Sequence, residues 1–202
     1  MQPLIDHARS FSRRSADRPD EFAPLAHGQS PQALFITCSD SRVIPSLITG
    51  ARPGELFELR TAGNIVPPYA PGLPTSEAAT IEYAVDVLGV RDIVVCGHSH
   101  CGAVGALVRR EDLTAVPAVR DWLAHTTHES ASAAWPAAYQ DDPAVADAVR
   151  HHVLTQLLRL RSYPCVVRRR ASGELRLHGW FYEVHTGTVL AHSQDTDSFT
   201  AL

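Results

Sequence analysis

Two short apolar runs, Ala33–Cys38 and residues 92–96, each lead into a polar loop that is followed by helical sequence. A short apolar run bounded by turn residues is typical of a buried strand. Strands that alternate with helices along a chain favour a mainly parallel sheet. The sequence therefore predicts an α/β fold, with a mainly parallel central sheet flanked by helices.

The other predicted elements fit this fold. A helix with a cap at Thr75 or Ser76 is predicted to reach about Leu88, with Ala79, Tyr83 and Val87 on one apolar stripe. The remaining predictions are a strand at Leu56–Thr61, helices that end near Arg109 and span 143–160, and a C-terminal edge hairpin from 175–184 and 188–191.

The N-terminal segment is polar and rich in arginine and serine. We expect a solvated helical arm at residues 1–27 and a catalytic core at residues 28–202, which together form a single domain. An organellar transit peptide is the alternative for this segment, but its acidic residues argue against that interpretation.

The basic side chains exclude several classes of protein. All 18 are arginine, because the chain contains no lysine. P-loop nucleotide-binding proteins and pyridoxal-phosphate enzymes both need a lysine and are therefore excluded. The net charge of -4 argues against a nucleic-acid partner, and no apolar stretch approaches the length of a membrane span. We expect a cytoplasmic protein whose four cysteines are thiols or metal ligands.

Cys38 and His98 lie at or just beyond the ends of two predicted strands. Because the carboxyl ends of parallel strands share one edge of a sheet, these side chains can meet there. His98 and Cys101 are three residues apart at the start of a helix, so they lie on one face. Two thiolates and one imidazole leave a fourth tetrahedral position open, as in catalytic zinc sites. The sequence predicts one Zn²⁺ per chain at this edge.

The remaining cysteines and the paired histidines have simpler interpretations. Cys96 and Cys165 are predicted to be small buried side chains. The pair His125 and His128, and the adjacent His151 and His152, lie on predicted helices without acidic or thiol neighbours in register. We expect surface histidines, with metal binding as the minority alternative.

Asp40 and Arg42 alternate with Cys38 in the sequence Cys-Ser-Asp-Ser-Arg, so their side chains point the same way in a loop. A carboxylate held by an arginine stays ionised and oriented. Asp40 is therefore suited to accept a hydrogen bond from a metal-bound hydroxide.

The blocks Cys-Ser-Asp-Ser-Arg at 38–42 and Gly-His-Ser-His-Cys-Gly-Ala at 97–103 resemble the two signature motifs of β-class carbonic anhydrases. Blocks at 53–57, 62–68 and 81–85 are also similar, and Leu-His-Gly-Trp at 177–180 resembles bacterial members associated with cyanate metabolism. The resemblance extends from about residue 28 to the C-terminus. It implies that Cys38, His98 and Cys101 bind zinc and that Asp40 and Arg42 are the catalytic dyad.

Four substrate-binding residues follow from the same resemblance. Gln29 resembles the glutamine that hydrogen-bonds bicarbonate in the plant-like branch. Phe57 and Tyr83 would line the substrate pocket and Gly102 would offer a backbone N–H, although core packing explains these three equally well.

Two features leave the details of the site open. Thr61 stands where most relatives have asparagine, so we expect different hydrogen bonds in this loop. In some members the counterpart of Asp40 leaves the arginine and becomes the fourth zinc ligand, and such a closed state remains an alternative here.

The resemblance implies zinc-dependent, reversible hydration of carbon dioxide to bicarbonate and a proton, through attack of zinc-bound hydroxide. It also implies self-association as a dimer or larger assembly, with the arm on a neighbouring subunit. A carbonyl sulfide or carbon disulfide hydrolase of the same fold is one alternative. A non-catalytic zinc protein is another, although Asp40, Arg42 and Gln29 would have no role in it.

Overall fold

The computed structural model describes residues 1–124, 139, 142 and 144–202. Within these residues, six strands form one sheet in the order β2-β1-β3-β4-β5-β6. The pairs β2–β1, β1–β3 and β3–β4 are parallel, whereas the pairs β4–β5 and β5–β6 are antiparallel. The predicted α/β class is confirmed. The strands are β1 (Ala33–Cys38), β2 (Leu56–Thr61), β3 (Asp92–His98), β4 (Arg176–Tyr182), β5 (Val189–Ser193) and β6 (Ser198–Ala201).

The predicted C-terminal hairpin is present as β4 and β5, and the sheet continues by one further strand, β6, that the sequence did not indicate. The helices are α1 (Gln2–Ala16), α2 (Pro19–Phe22), α3 (Pro45–Thr49), α4 (Ser76–Glu82), α5 (Gly102–Arg109), α6 (Pro117–Ala124), α7 (Ala146–Leu160) and α8 (Pro164–Ala171). Short 3-10 turns occupy Ala23–His27 and Ala62–Asn64. Pro143, the predicted first turn of α7, lies outside the described residues.

Helix α4 begins at the predicted cap, because the Thr75 hydroxyl accepts a hydrogen bond from the Ala78 N–H at 3.1 Å. The helix continues as a turn of π-helix at Tyr83–Val87. The predicted apolar stripe does not face the core: Tyr83 is 45% exposed and Val87 is 64% exposed. The core is instead contacted by Ile81, Ala84 and Val85. Within one chain, the predicted stripe is an exposed apolar face.

Helix α7 packs closely on the sheet because two strand residues lack side chains. A β-carbon at Gly97 would lie 2.4 Å from Val149 Cγ1 and 2.7 Å from Val153 Cγ2. A β-carbon at Gly179 on β4 would be less crowded, 3.0 Å from Leu157 Cδ1 and 3.1 Å from Val153 Cγ1. An added methyl group at residue 97 would have to displace the side chains of Val149 and Val153, and overpacking of this kind costs about 1–3 kcal/mol. Val149, Val153 and Leu157 on α7 are therefore part of the core.

The predicted N-terminal arm is helical at α1, and none of the α1 residues is buried. Its apolar side chains include Leu4, which is 68% exposed, and Phe11, which is 50% exposed. None of the described helices combines the length and the apolar character needed to cross a bilayer. The division into an arm at 1–27 and a core at 28–202 stays a prediction.

Candidate metal site

The ends of β1 and β3 bring Cys38 and His98 to the same edge of the sheet, and Cys101 follows just before α5. The ligand atoms of these three side chains all lie within 4.8 Å of one another, and all three residues are buried. The fold therefore brings Cys38 and His98 together, as the sequence predicted, although they are 60 positions apart in the chain. A group of this size and chemistry could hold a metal ion.

The backbone selects the tautomer of His98. Its Nδ1 lies 2.9 Å from the carbonyl oxygen of Ser99, which can only accept, so Nδ1 carries the proton. Ser99 is held in turn by Tyr182 and by Val184, whose N–H donates to the Ser99 hydroxyl at 3.0 Å. Nε2 keeps its lone pair, is buried and has no hydrogen-bond partner in the described part of the chain. A buried nitrogen acceptor of this kind fits a metal ligand.

The two thiols share one negative charge. Hydrogen bonds from Cys101 and from the backbone of Asp40 and Gly63 outweigh burial and lower the pKa of Cys38 to about 4. The Cys38 thiolate and burial raise the pKa of Cys101. The pocket therefore favours ionisation of one thiol, Cys38, and disfavours ionisation of the second, Cys101, while no cation is bound. A divalent cation between the sulfurs would remove this conflict, and zinc favours thiolate and imidazole ligands.

Asp40 and Arg42 form the pair that the sequence predicted. Asp40 Oδ1 accepts from Arg42 Nε at 2.9 Å and Oδ2 from a terminal guanidinium nitrogen at 2.7 Å. Arg42 also donates to the carbonyl oxygen of His100 at 3.1 Å. These hydrogen bonds hold the pKa of Asp40 well below its usual range. Oδ2 lies 3.9 Å from His98 Nε2, so the ionised carboxylate is next to the ligand group but is paired with arginine.

Arg60 is a site residue that the sequence reasoning missed. Its guanidinium donates to three carbonyl oxygens of the loop that carries the dyad: Cys38 at 3.2 Å, Asp40 at 2.8 Å and Val43 at 2.8 Å. All three acceptors are backbone atoms, so no sequence motif identifies them. Arg60 fixes the path of the chain between a ligand and the dyad.

A second loop, residues 61–65, contacts the ligand Cys38. The N–H of Gly63 donates to Cys38 Sγ at 3.4 Å. The Thr61 hydroxyl donates a hydrogen bond to the carbonyl oxygen of Ile65 at 3.1 Å and so links the two ends of this loop. This is the hydrogen bond that threonine makes at the position where most relatives have asparagine. Gly63 has a φ of +72°, in the left-handed region where glycine carries no steric cost.

The predicted substrate-binding residues are placed as follows. Phe57 and Tyr83 stack with ring centroids 5.9 Å apart. Gly102 is the first residue of α5, so its N–H is not used within the helix, and the space beside its α-carbon is open. Gln29 is exposed before β1 and lies outside the group of three ligand residues.

Of the predictions for the other cysteines and histidines, some are confirmed and one is wrong. Cys96 and Cys165 are buried as expected, and burial raises the pKa of Cys96 to about 12. His151 is exposed, but the expectation of a surface side chain is wrong for His152, which is 1% exposed. Its Nε2 lies 2.8 Å from the carbonyl oxygen of Gly63, so a hydrogen bond compensates for the burial of the ring. His125 and His128 lie outside the described residues.

Comparison with known proteins places these features in a family. The sequence model of the carbonic anhydrase family matches residues 33–189. The carbonic anhydrase of Pseudomonas aeruginosa is 47% identical over 206 aligned positions, which cover 100% of this chain and 92% of that protein.

Two solved structures are similar over nearly the whole chain. The β-carbonic anhydrase CcaA gives a TM-score of 0.89 at 40% identity and covers 100% of this chain and 99% of its own. A tetrameric β-carbonic anhydrase from Sordaria macrospora gives 0.79 at 28% identity, with coverage of 99% and 98%. The chain belongs to the β-class carbonic anhydrases.

Proposed function

We propose that this protein catalyses the reversible hydration of carbon dioxide to bicarbonate and a proton, with one Zn²⁺ held by Cys38, His98 and Cys101. The observation that carries the proposal is the buried convergence of two thiols and one unpaired imidazole nitrogen beside an ionised carboxylate. Three protein ligands leave one tetrahedral position for water or substrate, whereas a structural zinc site uses four protein ligands.

When bound, zinc lowers the pKa of a coordinated water and so supplies a nucleophile at neutral pH. Asp40 is an acceptor only, because Arg42 keeps it ionised. It can therefore orient that water by accepting its proton in a hydrogen bond. The contacts of Arg42 with Asp40 and His100, and those of Arg60 with the loop, hold the carboxylate in place.

The remaining predicted residues would bind the substrate. Phe57 pairs with Leu34, four residues before Cys38, and Gln29 precedes the start of β1, so both lie toward the opposite end of the sheet from the candidate ligands of the same chain. In an assembly that completes the pocket across an interface, the stacked rings of Phe57 and Tyr83 would offer an apolar wall to carbon dioxide. The N–H of Gly102 and the amide of Gln29 would donate to bicarbonate oxygens. A shift of Asp40 from Arg42 to the metal, which would close the site, stays a prediction.

The ligand set can be tested by substitution. Cys101→Ser should lose most of its zinc and its activity, because a serine hydroxyl is not ionised at neutral pH and does not replace a thiolate. Cys96→Ser and Cys165→Ser, at buried positions outside the group, are matched controls that should retain one zinc per chain by metal analysis. Full zinc content in Cys101→Ser would refute this ligand set.

The dyad can be tested by stopped-flow hydration of carbon dioxide. Asp40→Asn should retain zinc but lose on the order of 10²-fold in kcat/KM, because the amide can donate and no longer forms an ion pair with Arg42. Asp92→Asn is the control, since Asp92 forms a similar bidentate pair with Arg176 at the opposite end of the sheet.

Near wild-type rates for Asp40→Asn would contradict the assigned role. Release of sulfide from carbonyl sulfide or carbon disulfide, without hydration of carbon dioxide by the wild-type protein, would favour the alternative hydrolase. Zinc binding without either activity would favour a non-catalytic zinc protein.

The rate of hydration should rise from mildly acidic to alkaline pH. Asp40 is already ionised in this range, so its titration does not produce the rise. Two thiolate ligands leave less positive charge at the metal than three imidazoles, for which the water pKa is about 7. The negative charge of Asp40 also disfavours loss of a proton nearby, and Arg42 offsets part of this effect. The measurement is a pH–rate profile with zinc content determined at each pH. A plateau already reached in mild acid would show that the charge argument fails.

We also propose that the active form is a dimer or larger assembly in which the arm packs on a second copy. The exposed Leu4 and Phe11 on α1 and the exposed Tyr83 and Val87 support this, as does the tetrameric relative from Sordaria macrospora. Deletion of residues 1–25 should reduce both the mass measured by light scattering and the activity. Arg9→Ser, a polar change on the same helix, should leave both unchanged, and a fully active monomer would disprove the proposal.

A further inference from the structure

One face of α7 and the residues after it carries four polar side chains that reach the backbone of residues 62–67, here called the 62–67 segment. His152 Nε2 contacts the Gly63 carbonyl oxygen at 2.8 Å, and Gln156 Oε1 accepts from the Val66 N–H at 2.9 Å. Arg159 donates to the Val66 carbonyl oxygen at 3.0 Å, and the Tyr163 hydroxyl to that of Pro67 at 2.7 Å. All four residues are nearly inaccessible to solvent.

The donors in this network have a fixed direction. The Gly63 carbonyl oxygen can only accept, so His152 carries its proton on Nε2. The amide of Gln156 is oriented by the Val66 N–H, which places its Nε2 toward His152 Nδ1 at 3.5 Å. Burial lowers the pKa of His152 to about 4, so the ring stays neutral and keeps this single donor at neutral pH.

The 62–67 segment connects these hydrogen bonds to the candidate metal site, because the Gly63 N–H donates to Cys38 Sγ at 3.4 Å. Gly63 is hydrogen-bonded on both sides. Its carbonyl oxygen contacts His152 on α7, and its N–H contacts the Cys38 sulfur. The left-handed backbone of Gly63, with φ of +72°, is compatible with both.

We propose that His152 is a positioning residue for the metal centre, which acts by holding Gly63 so that its N–H is directed at the thiolate of Cys38. An N–H directed at a ligating sulfur stabilises the thiolate and orients it, and groups that support ligands in this way typically affect metal affinity about 10- to 100-fold. Gln156 supports the role by fixing the other ring nitrogen. The inference rests on the proposed zinc site.

Three variants separate positioning from general stability. His152→Leu retains a buried side chain but removes the donor to Gly63. His152→Gln can place an amide nitrogen close to the position of Nε2 and should restore the hydrogen bond. Tyr163→Phe is the control, because it removes a buried hydrogen bond to the same segment at Pro67, four residues from Gly63.

Zinc affinity, measured by competition with a chelator, should fall about 10- to 100-fold in His152→Leu and recover in His152→Gln. Tyr163→Phe should lower the unfolding midpoint but bind zinc like the wild type. Equal zinc affinity in His152→Leu and wild type, or equal losses in His152→Leu and Tyr163→Phe, would overturn the proposal.

A second measurement observes the contact directly. In protein loaded with ¹¹³Cd²⁺, a hydrogen bond from an amide to a ligating sulfur transmits a scalar coupling between the amide proton and the metal. We expect this coupling at the Gly63 amide of the wild type and its loss in His152→Leu. If the wild type binds cadmium without coupling at Gly63, the positioning role is wrong although the metal site is right. If the wild type binds neither zinc nor cadmium, the proposed function itself fails.

Discussion

The parallel pairing of β1 with β3 is the constraint on which the rest of the site depends. Their register places Thr37 opposite Cys96, so the two strands finish within one or two residues of each other. Cys38 and His98 are thereby brought together by the backbone hydrogen bonds of paired strands. Cys101 then needs only the short turn into α5 to reach them. Side chains that are widely separated in sequence therefore lie close together at one edge of the sheet.

The charges at this edge are arranged in a complementary way. The pocket already stabilises one thiolate on Cys38, while the second sulfur, on Cys101, resists ionisation. Beside them, Asp40 is negative and is neutralised by Arg42. The protein thus keeps the carboxylate ionised with its own cation, whereas in the proposed site an external ion would supply the positive charge beside the sulfurs.

The convergence of Cys38, His98 and Cys101, and the pairing of Asp40 with Arg42, could be predicted from the sequence because both depend on the types and spacing of side chains. Cys38, His98 and Cys101 follow strand signals at a spacing that suits a metal, and Asp40 alternates with Arg42. The residues that hold these groups could not be found in this way. Arg60 and His152 bind backbone carbonyl oxygens of segments remote in sequence, and any residue type at those acceptors presents the same atom.

Two other differences have identifiable physical causes. His151 and His152 are adjacent on a helix, so their side chains point about 100° apart, and only the three-dimensional packing decides which one is buried. The stripe of Ala79, Tyr83 and Val87 has the period of a core-facing helix, yet it is exposed in a single chain. A periodic apolar pattern shows that a face is apolar and does not identify the surface that covers it.

The close approach of α7 to Gly97 links two properties that are usually considered separately. The helix that rests on this glycine also carries the side chains that contact the 62–67 segment. A side chain at residue 97 would press on Val149 and Val153 of this helix and, in the proposed metal site, would disturb the support of the Cys38 sulfur. Such a variant would present in the laboratory as a poorly metallated protein, although residue 97 itself offers no ligand atom. If the proposed metal site is correct, metal content would therefore report on how well the core is packed.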